Sequence, residues 1–129
     1  MDTKILLIDD DARILETFAR MLKLAGYTVF TADDGEQGLA LYYQESPDIV
    51  LLDVRMPGMN GVAATREICI HYPRTRVIVL TTFDHDEYVF ESLRMGASGY
   101  LLKNAAPDQL AAAIRAVYAG ESILDPAIT

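Results

Sequence analysis

Cysteine occurs once among the 129 residues, at Cys69, so no disulfide can form within the chain. Histidine occurs twice, at His71 and His85. The two are far apart in the chain and read as surface residues, so there is no Cys/His cluster of the kind that holds zinc. Bases are few: 11 against 19 acids, a net charge of -8. Nucleic acid and anionic membrane surfaces both call for a basic patch, so neither is an expected direct partner. No apolar run approaches the roughly 18 residues of a membrane span. The opening MDTKILLIDDD ends its short apolar run in three acids, unlike a secretory signal, and the cytoplasm is the expected compartment. No glycine-rich loop follows that first run, which argues against a flavin or nucleotide fold of similar topology.

What is present is a globular composition, 51% hydrophobic and 23% charged, at the length of one domain. Short apolar runs at 5–8, 28–31, 49–52, 77–80 and 100–102 alternate with amphipathic stretches at 12–25, 35–46, 62–72, 87–95 and 107–119. Runs apolar on both faces suit strands of a parallel sheet covered on both sides. Helical spacing puts Ile14, Leu15, Phe18, Leu22 and Ala25 on one face of the first helix. It pairs Leu39 with Tyr43 in the second, Val89 with Leu93 in the fourth, and Leu110, Ile114 and Val117 in the fifth. Pro107 suits the first turn of the last helix and Gly120 its end. Strict alternation predicts an α/β fold with helices on both faces of a parallel sheet.

In such a sheet ligands bind at the carboxyl ends of the strands. Asp9 and Asp10 follow the first run, Asp53 ends the third, Thr81 and Thr82 the fourth, and Lys103 the fifth. Taken singly, each has a plainer reading: Asp11 as a helix N-cap, Lys103 as a solvated cation, Thr81 as a strand residue. Taken together, three carboxylates on one edge repel one another and need a counter-charge. Lys103 offers one, and a divalent cation offers another. Oxygen ligands favour a hard ion, and Mg²⁺ fits best, since it takes one or two carboxylates and reserves positions for phosphate oxygens. A carboxylate nucleophile beside such groups can form an aspartyl-phosphate. On this reasoning either Asp53 or the Asp9–Asp10 pair could supply the nucleophile.

The segments Ile5-Leu6-Leu7-Ile8-Asp9-Asp10-Asp11, Leu51-Leu52-Asp53-Val54-Arg55-Met56-Pro57-Gly58-Met59-Asn60-Gly61, Val79-Leu80-Thr81-Thr82 and Gly99-Tyr100-Leu101-Leu102-Lys103 resemble the four signature segments of response-regulator receiver domains. The resemblance runs over essentially the whole chain. It implies a flavodoxin-like (βα)5 doubly wound sheet of order 2-1-3-4-5. It also implies Asp53 as phosphoacceptor, with magnesium held by Asp10, by Asp9 mainly through water, by Asp53 and by the Arg55 carbonyl. Thr81 would bond the phosphoryl group, Lys103 would pair with one of its oxygens, and Tyr100 would be the aromatic switch. By the same geometry Arg55, Thr82 and Phe83 flank the path of hydrolytic water and should slow loss of the phosphoryl group.

Asn104 stands after Lys103 where many receivers have proline. With the Ala-rich last helix, this resembles the NarL/LuxR-type subgroup, whose members usually carry a C-terminal helix-turn-helix domain. The expectation is therefore a receiver at 1–120 and the start of a linker or tail at 121–129, either a stand-alone receiver or, the favoured reading, a fragment of a longer transcriptional regulator. DNA would be contacted only through that further domain. A partner histidine kinase and homodimerisation on phosphorylation are implied, with Tyr88, Phe90 and Tyr118 as surface aromatics of the fourth and fifth helices. The rival class is a haloacid-dehalogenase-like phosphatase, to which Asp9-Asp10-Asp11 would supply an Asp-x-Asp pair. That reading leaves the Asp53 loop unexplained and predicts rapid turnover of phosphate esters.

Overall fold

The computed structural model describes residues 3–54, 61–71, 74–82 and 87–120, and at 61, 62, 87 and 88 the backbone alone. Five strands alternate with five helices: β1 Lys4–Ile8, α1 Ala12–Leu24, β2 Thr28–Ala32, α2 Gly35–Glu45, β3 Ile49–Asp53, α3 Gly61–Cys69, β4 Arg76–Thr81, α4 Glu87–Arg94, β5 Gly99–Leu102 and α5 Pro107–Tyr118. The strands form one parallel sheet of order β2-β1-β3-β4-β5. This is the flavodoxin-like arrangement that the alternation and the resemblance implied.

Because successive strand residues point to opposite faces, each central strand feeds two cores. On one side Ile5, Leu7, Leu51, Ile78 and Leu80 pack with Phe18 and Leu22 of α1 and Leu110, Ile114 and Val117 of α5. On the other, Leu6, Ile8, Val50, Leu52 and Val79 pack with Tyr42 of α2, Ile68 of α3 and Val89 of α4. All five residues of β3 are buried, which is why the central strands read as unbroken apolar runs. Full burial of each large side chain is worth about 1.5–3 kcal/mol against leaving it in water.

Local chemistry sets the helix ends. Asp11 caps α1, its side chain accepting from the Arg13 amide, and Asp34 caps α2 by accepting from the Gln37 amide. Pro107 opens α5. At the other end of α5, Arg76 from the start of β4 donates to the carbonyls of Val117 (2.7 Å) and Tyr118 (2.6 Å). A cation there satisfies helix-end carbonyls and complements the dipole.

Two expectations change. The buried face of α2 runs through Gly35, Gly38 and Tyr42, while Tyr43 is 57% exposed and Leu39 is half-buried. Glycine carries no apolar signal, yet Gly38 lets α2 pack directly on Ile8 of β1. A Cβ there would lie 2.6 Å from Ile8 Cδ1 and 3.0 Å from its Cγ2. In addition, His71 is half-buried and hydrogen-bonded to Tyr42 rather than simply exposed. His85 lies outside the described residues. Gly38→Ala should lower stability by about 1 kcal/mol net, overpacking against Ile8 outweighing the better helix former. A thermal melt reads this directly, and an unchanged or higher midpoint would show that α2 can yield.

Candidate functional site

Register brings the strand-end residues together. Ile8 pairs with Leu52 across β1 and β3, so Asp9 and Asp53 are the next residues on adjacent strands. Asp53 pairs with Leu80, which puts Thr81 one step further on. Thr81 pairs with Leu102, which puts Lys103 one step beyond that. The ladder continues past the strands, with the Asp9 amide donating to Ala32 (3.1 Å) and the Lys103 amide to Thr81 (2.8 Å). The strand order reverses between β1 and β3, where α/β sheets open a crevice.

Asp9, Asp10 and Asp53 each offer a carboxylate oxygen within 4.8 Å of the others. Opposite ligands of one magnesium stand about 4.2 Å apart, so the spacing is close to that of a shared hard cation. Asp9 is fully buried and Asp53 is 3% exposed, whereas Asp10 reaches solvent. Lys103 Nζ donates to Asp53 Oδ2 at 2.9 Å and to Asp9 Oδ1 at 3.2 Å. Asp9 Oδ1 also accepts from the Asp11 amide (2.9 Å), a contact that fixes the carboxylate's orientation and that follows from three acids in a row at a strand end. Asp9 Oδ2 lies 3.0 Å from the ammonium but makes no hydrogen bond among the described residues. It is a buried oxygen held by charge alone.

The titration behaviour follows from this geometry. Burial pushes the Asp9 carboxyl above its ordinary value, and the Asp11 amide and Lys103 offset this only in part. Burial alone would lower the Lys103 ammonium, but its bonds to Asp53 and Asp9 outweigh burial and leave it raised. Three carboxylates against one ammonium leave two negative charges in the cluster. That deficit, with the unbonded Asp9 oxygen, matches a single divalent cation with oxygen ligands.

Thr81 ends β4 and is buried, and Tyr100 in β5 is 2% exposed within the core shared with Val79 and Val89. Thr82 is exposed and lines a shallow cleft with Leu102, Lys103 and Asn104. Arg55 and Phe83 lie outside the described residues, as do residues 121–129, and so does the side chain of Tyr88. Phe90 and Tyr118 are 46% and 51% exposed. Cys69 is half-buried against Gly96, and burial pushes its thiol up to about 11, which leaves it unreactive. Among the described residues no helix is long and apolar enough to cross a membrane.

Comparison with known proteins adds a second line. Residues 5–115 match the family model of the response regulator receiver domain. The oxygen regulatory protein NreC of Staphylococcus carnosus is 40% identical, over 98% of this chain and 59% of that protein. The chain thus spans about three fifths of the length of the curated relatives it matches. A LuxR-family two-component response regulator from Aurantimonas superposes with a TM-score of 0.87 at 32% identity, over 99% of this chain and 93% of that one. The signal receiver domain assigned to NarL of Mycobacterium tuberculosis gives 0.83 at 32%, over 93% and 98%.

Proposed function

This chain belongs to the family of response regulator receiver domains, in its NarL/LuxR-type subgroup, and we propose that it is an aspartyl-phosphate switch with Asp53 as acceptor. The observation that carries this is the buried Asp53 carboxylate, held by Lys103 beside two further acids. A phosphohistidine on a partner kinase is the expected donor. A carboxylate oxygen of Asp53 attacks phosphorus, an O–P bond forms, the P–N bond breaks, and the imidazole leaves with the electron pair. Lys103, hydrogen-bonded to Oδ2, orients the carboxylate and then faces the charge of the arriving phosphoryl oxygens. The Thr81 hydroxyl donates to one of those oxygens. That bond favours one of two packings of Thr81 and Tyr100.

Asp10, Asp53, the Arg55 carbonyl and, through water, Asp9 would hold magnesium, which supplies positive charge against the phosphoryl oxygens. Mg²⁺ at tenfold excess over its Kd should then stabilise the fold by about 1.4 kcal/mol. Asp10→Ala should abolish that response. The same change should raise stability without metal, because one of three repelling charges is gone. A wild-type melt indifferent to millimolar-range Mg²⁺ would remove the metal from the scheme.

Acetyl phosphate with Mg²⁺ should add one phosphoryl group, read by intact mass. Absence of that mass gain, or rapid turnover of phosphate esters, would overturn the switch.

The receiver is taken to span 1–120, with 121–129 starting a linker to a helix-turn-helix domain that acts on DNA in the cytoplasm. The length of the relatives supports this output. Phosphorylation is expected to drive self-association through the α4–α5 or α1–α5 face, where Phe90 and Tyr118 are exposed. Light scattering with and without beryllofluoride checks it, and an unchanged mass over a wide concentration range would exclude a dimer.

A further inference from the structure

A second polar pocket, of about 140 Å³, is lined by Tyr42, Tyr43, Ser46, His71, Arg74 and Thr75. It lies where β3 and β4 begin: Ser46 caps α2 ahead of β3, and Thr75 immediately precedes β4. Asp53 is at the far end of β3, about 13 Å from the strand's first residue at 3.3 Å per residue. The pocket is therefore separate from the acidic cluster.

Buried Tyr42 is its floor. The rings of Tyr43 and His71 stand edge-on to that floor, with centroids 5.0 and 5.6 Å from it. The Tyr42 hydroxyl is bonded to His71 Nδ1. Burial pushes the Tyr42 phenol above its ordinary value. In the tautomer in which Nδ1 accepts from Tyr42, the His71 Nε2–H is the donor turned to a ligand. The Thr75 hydroxyl is spent on the Pro47 carbonyl, at 2.8 Å, and that of Tyr43 on Glu67, which is not on the lining. Arg74 is exposed, and its guanidinium has no partner among the described residues. Among the described residues the lining groups left to meet a ligand are His71 Nε2, the Arg74 guanidinium and the Ser46 hydroxyl. None of the lining residues is acidic, in a chain of net charge -8.

We propose that this pocket binds a small oxyanion, a carboxylate or a phosphate, with Arg74 as its principal charge and His71 and Ser46 as supporting donors. A guanidinium engages two oxygens of such a group at once. The carboxyl end of α2 opposes an anion, so binding is weak, with a Kd in the millimolar range, on the order of 1–10 mM.

The test is an NMR titration of the full chain carrying Asp53→Asn, without Mg²⁺ and at constant ionic strength. Inorganic phosphate and succinate are added in separate arms, with chloride as control. Saturable shifts of the Ser46 amide and the His71 ring are expected in at least one arm, and the arm that saturates identifies the ligand class. Arg74→Gln should weaken binding about tenfold and Arg74→Lys by less, since only the fork is lost. Arg74 is on the surface, so both variants should melt like the parent. Shifts that never saturate, or that chloride reproduces, mean an adventitious ion only and overturn the proposal. So does a glutamine variant with undiminished affinity.

Discussion

Asp53→Asn takes up no phosphoryl group from acetyl phosphate under conditions in which the parent chain gains one. The substitution keeps the shape of the side chain and removes the nucleophilic oxygen. Lys103 retains Asp9 as a partner at 3.0 Å, so the fold should persist. Asparagine also lowers the charge of the cluster by one, which should make the variant at least as stable as the parent when metal is absent. Intact-mass measurement on both proteins, each with a melt to show that it is folded, separates loss of chemistry from loss of structure. If the variant is phosphorylated to the same extent, the acceptor is elsewhere, and Asp9 or Asp10 becomes the candidate.

Lys103→Met should be the most destabilising single change at the site, at about 3 kcal/mol, or roughly 10 °C in midpoint. The side chains of Asp9 and Asp53 are 0% and 5% exposed, and that of Lys103 is 13%. Removing the ammonium leaves two desolvated carboxylates facing each other without the cation that bridges them. The pH dependence has a definite sign. Asp9 already holds its proton more tightly folded than unfolded, so its ionisation costs stability as pH rises above the ordinary carboxylate value. Without Lys103 that cost grows, and the gap between variant and parent should close as the solution is made acidic. In the parent, the Lys103 ammonium is raised above 10.5. Its contribution is therefore complete below that value and is lost as pH climbs through the folded one. Melts of both proteins across acidic, neutral and alkaline pH check each limb. A variant as stable as the parent at neutral pH would mean that water already screens the pair.

The central strands were legible because their environment is uniform. Ile49 to Leu52 are buried on both faces, so the run has no polar interruption and can hardly be read another way. The roles of strand-end acids were less legible, since chemistry alone left open which Asp is the nucleophile. Register places Asp53 beside Asp9 in the middle of the edge, and no local pattern encodes register. Lys103 was legible as a counter-charge. That one ammonium serves both buried acids depends on the β4–β5 register, which pairs Leu102 with Thr81 and sets Lys103 just beyond the strand ends, and only the assembled sheet supplies it. The face of α2 was misread because a residue with no side chain, Gly38, makes its tight contact with Ile8. The seat of His71 depends on Tyr42, 29 positions away, and no periodicity connects them.

The anchoring of α5 by Arg76 has a mechanical consequence. Helix ends usually fray first, because their last carbonyls are held only by water. Here the carbonyls of Val117 and Tyr118 are tied to a guanidinium rooted in an interior strand. Tension applied to the chain beyond Gly120 would load β4 through that tie before it could unwind the helix turn by turn. The end of α5 is thus a mooring whose position is set by the sheet.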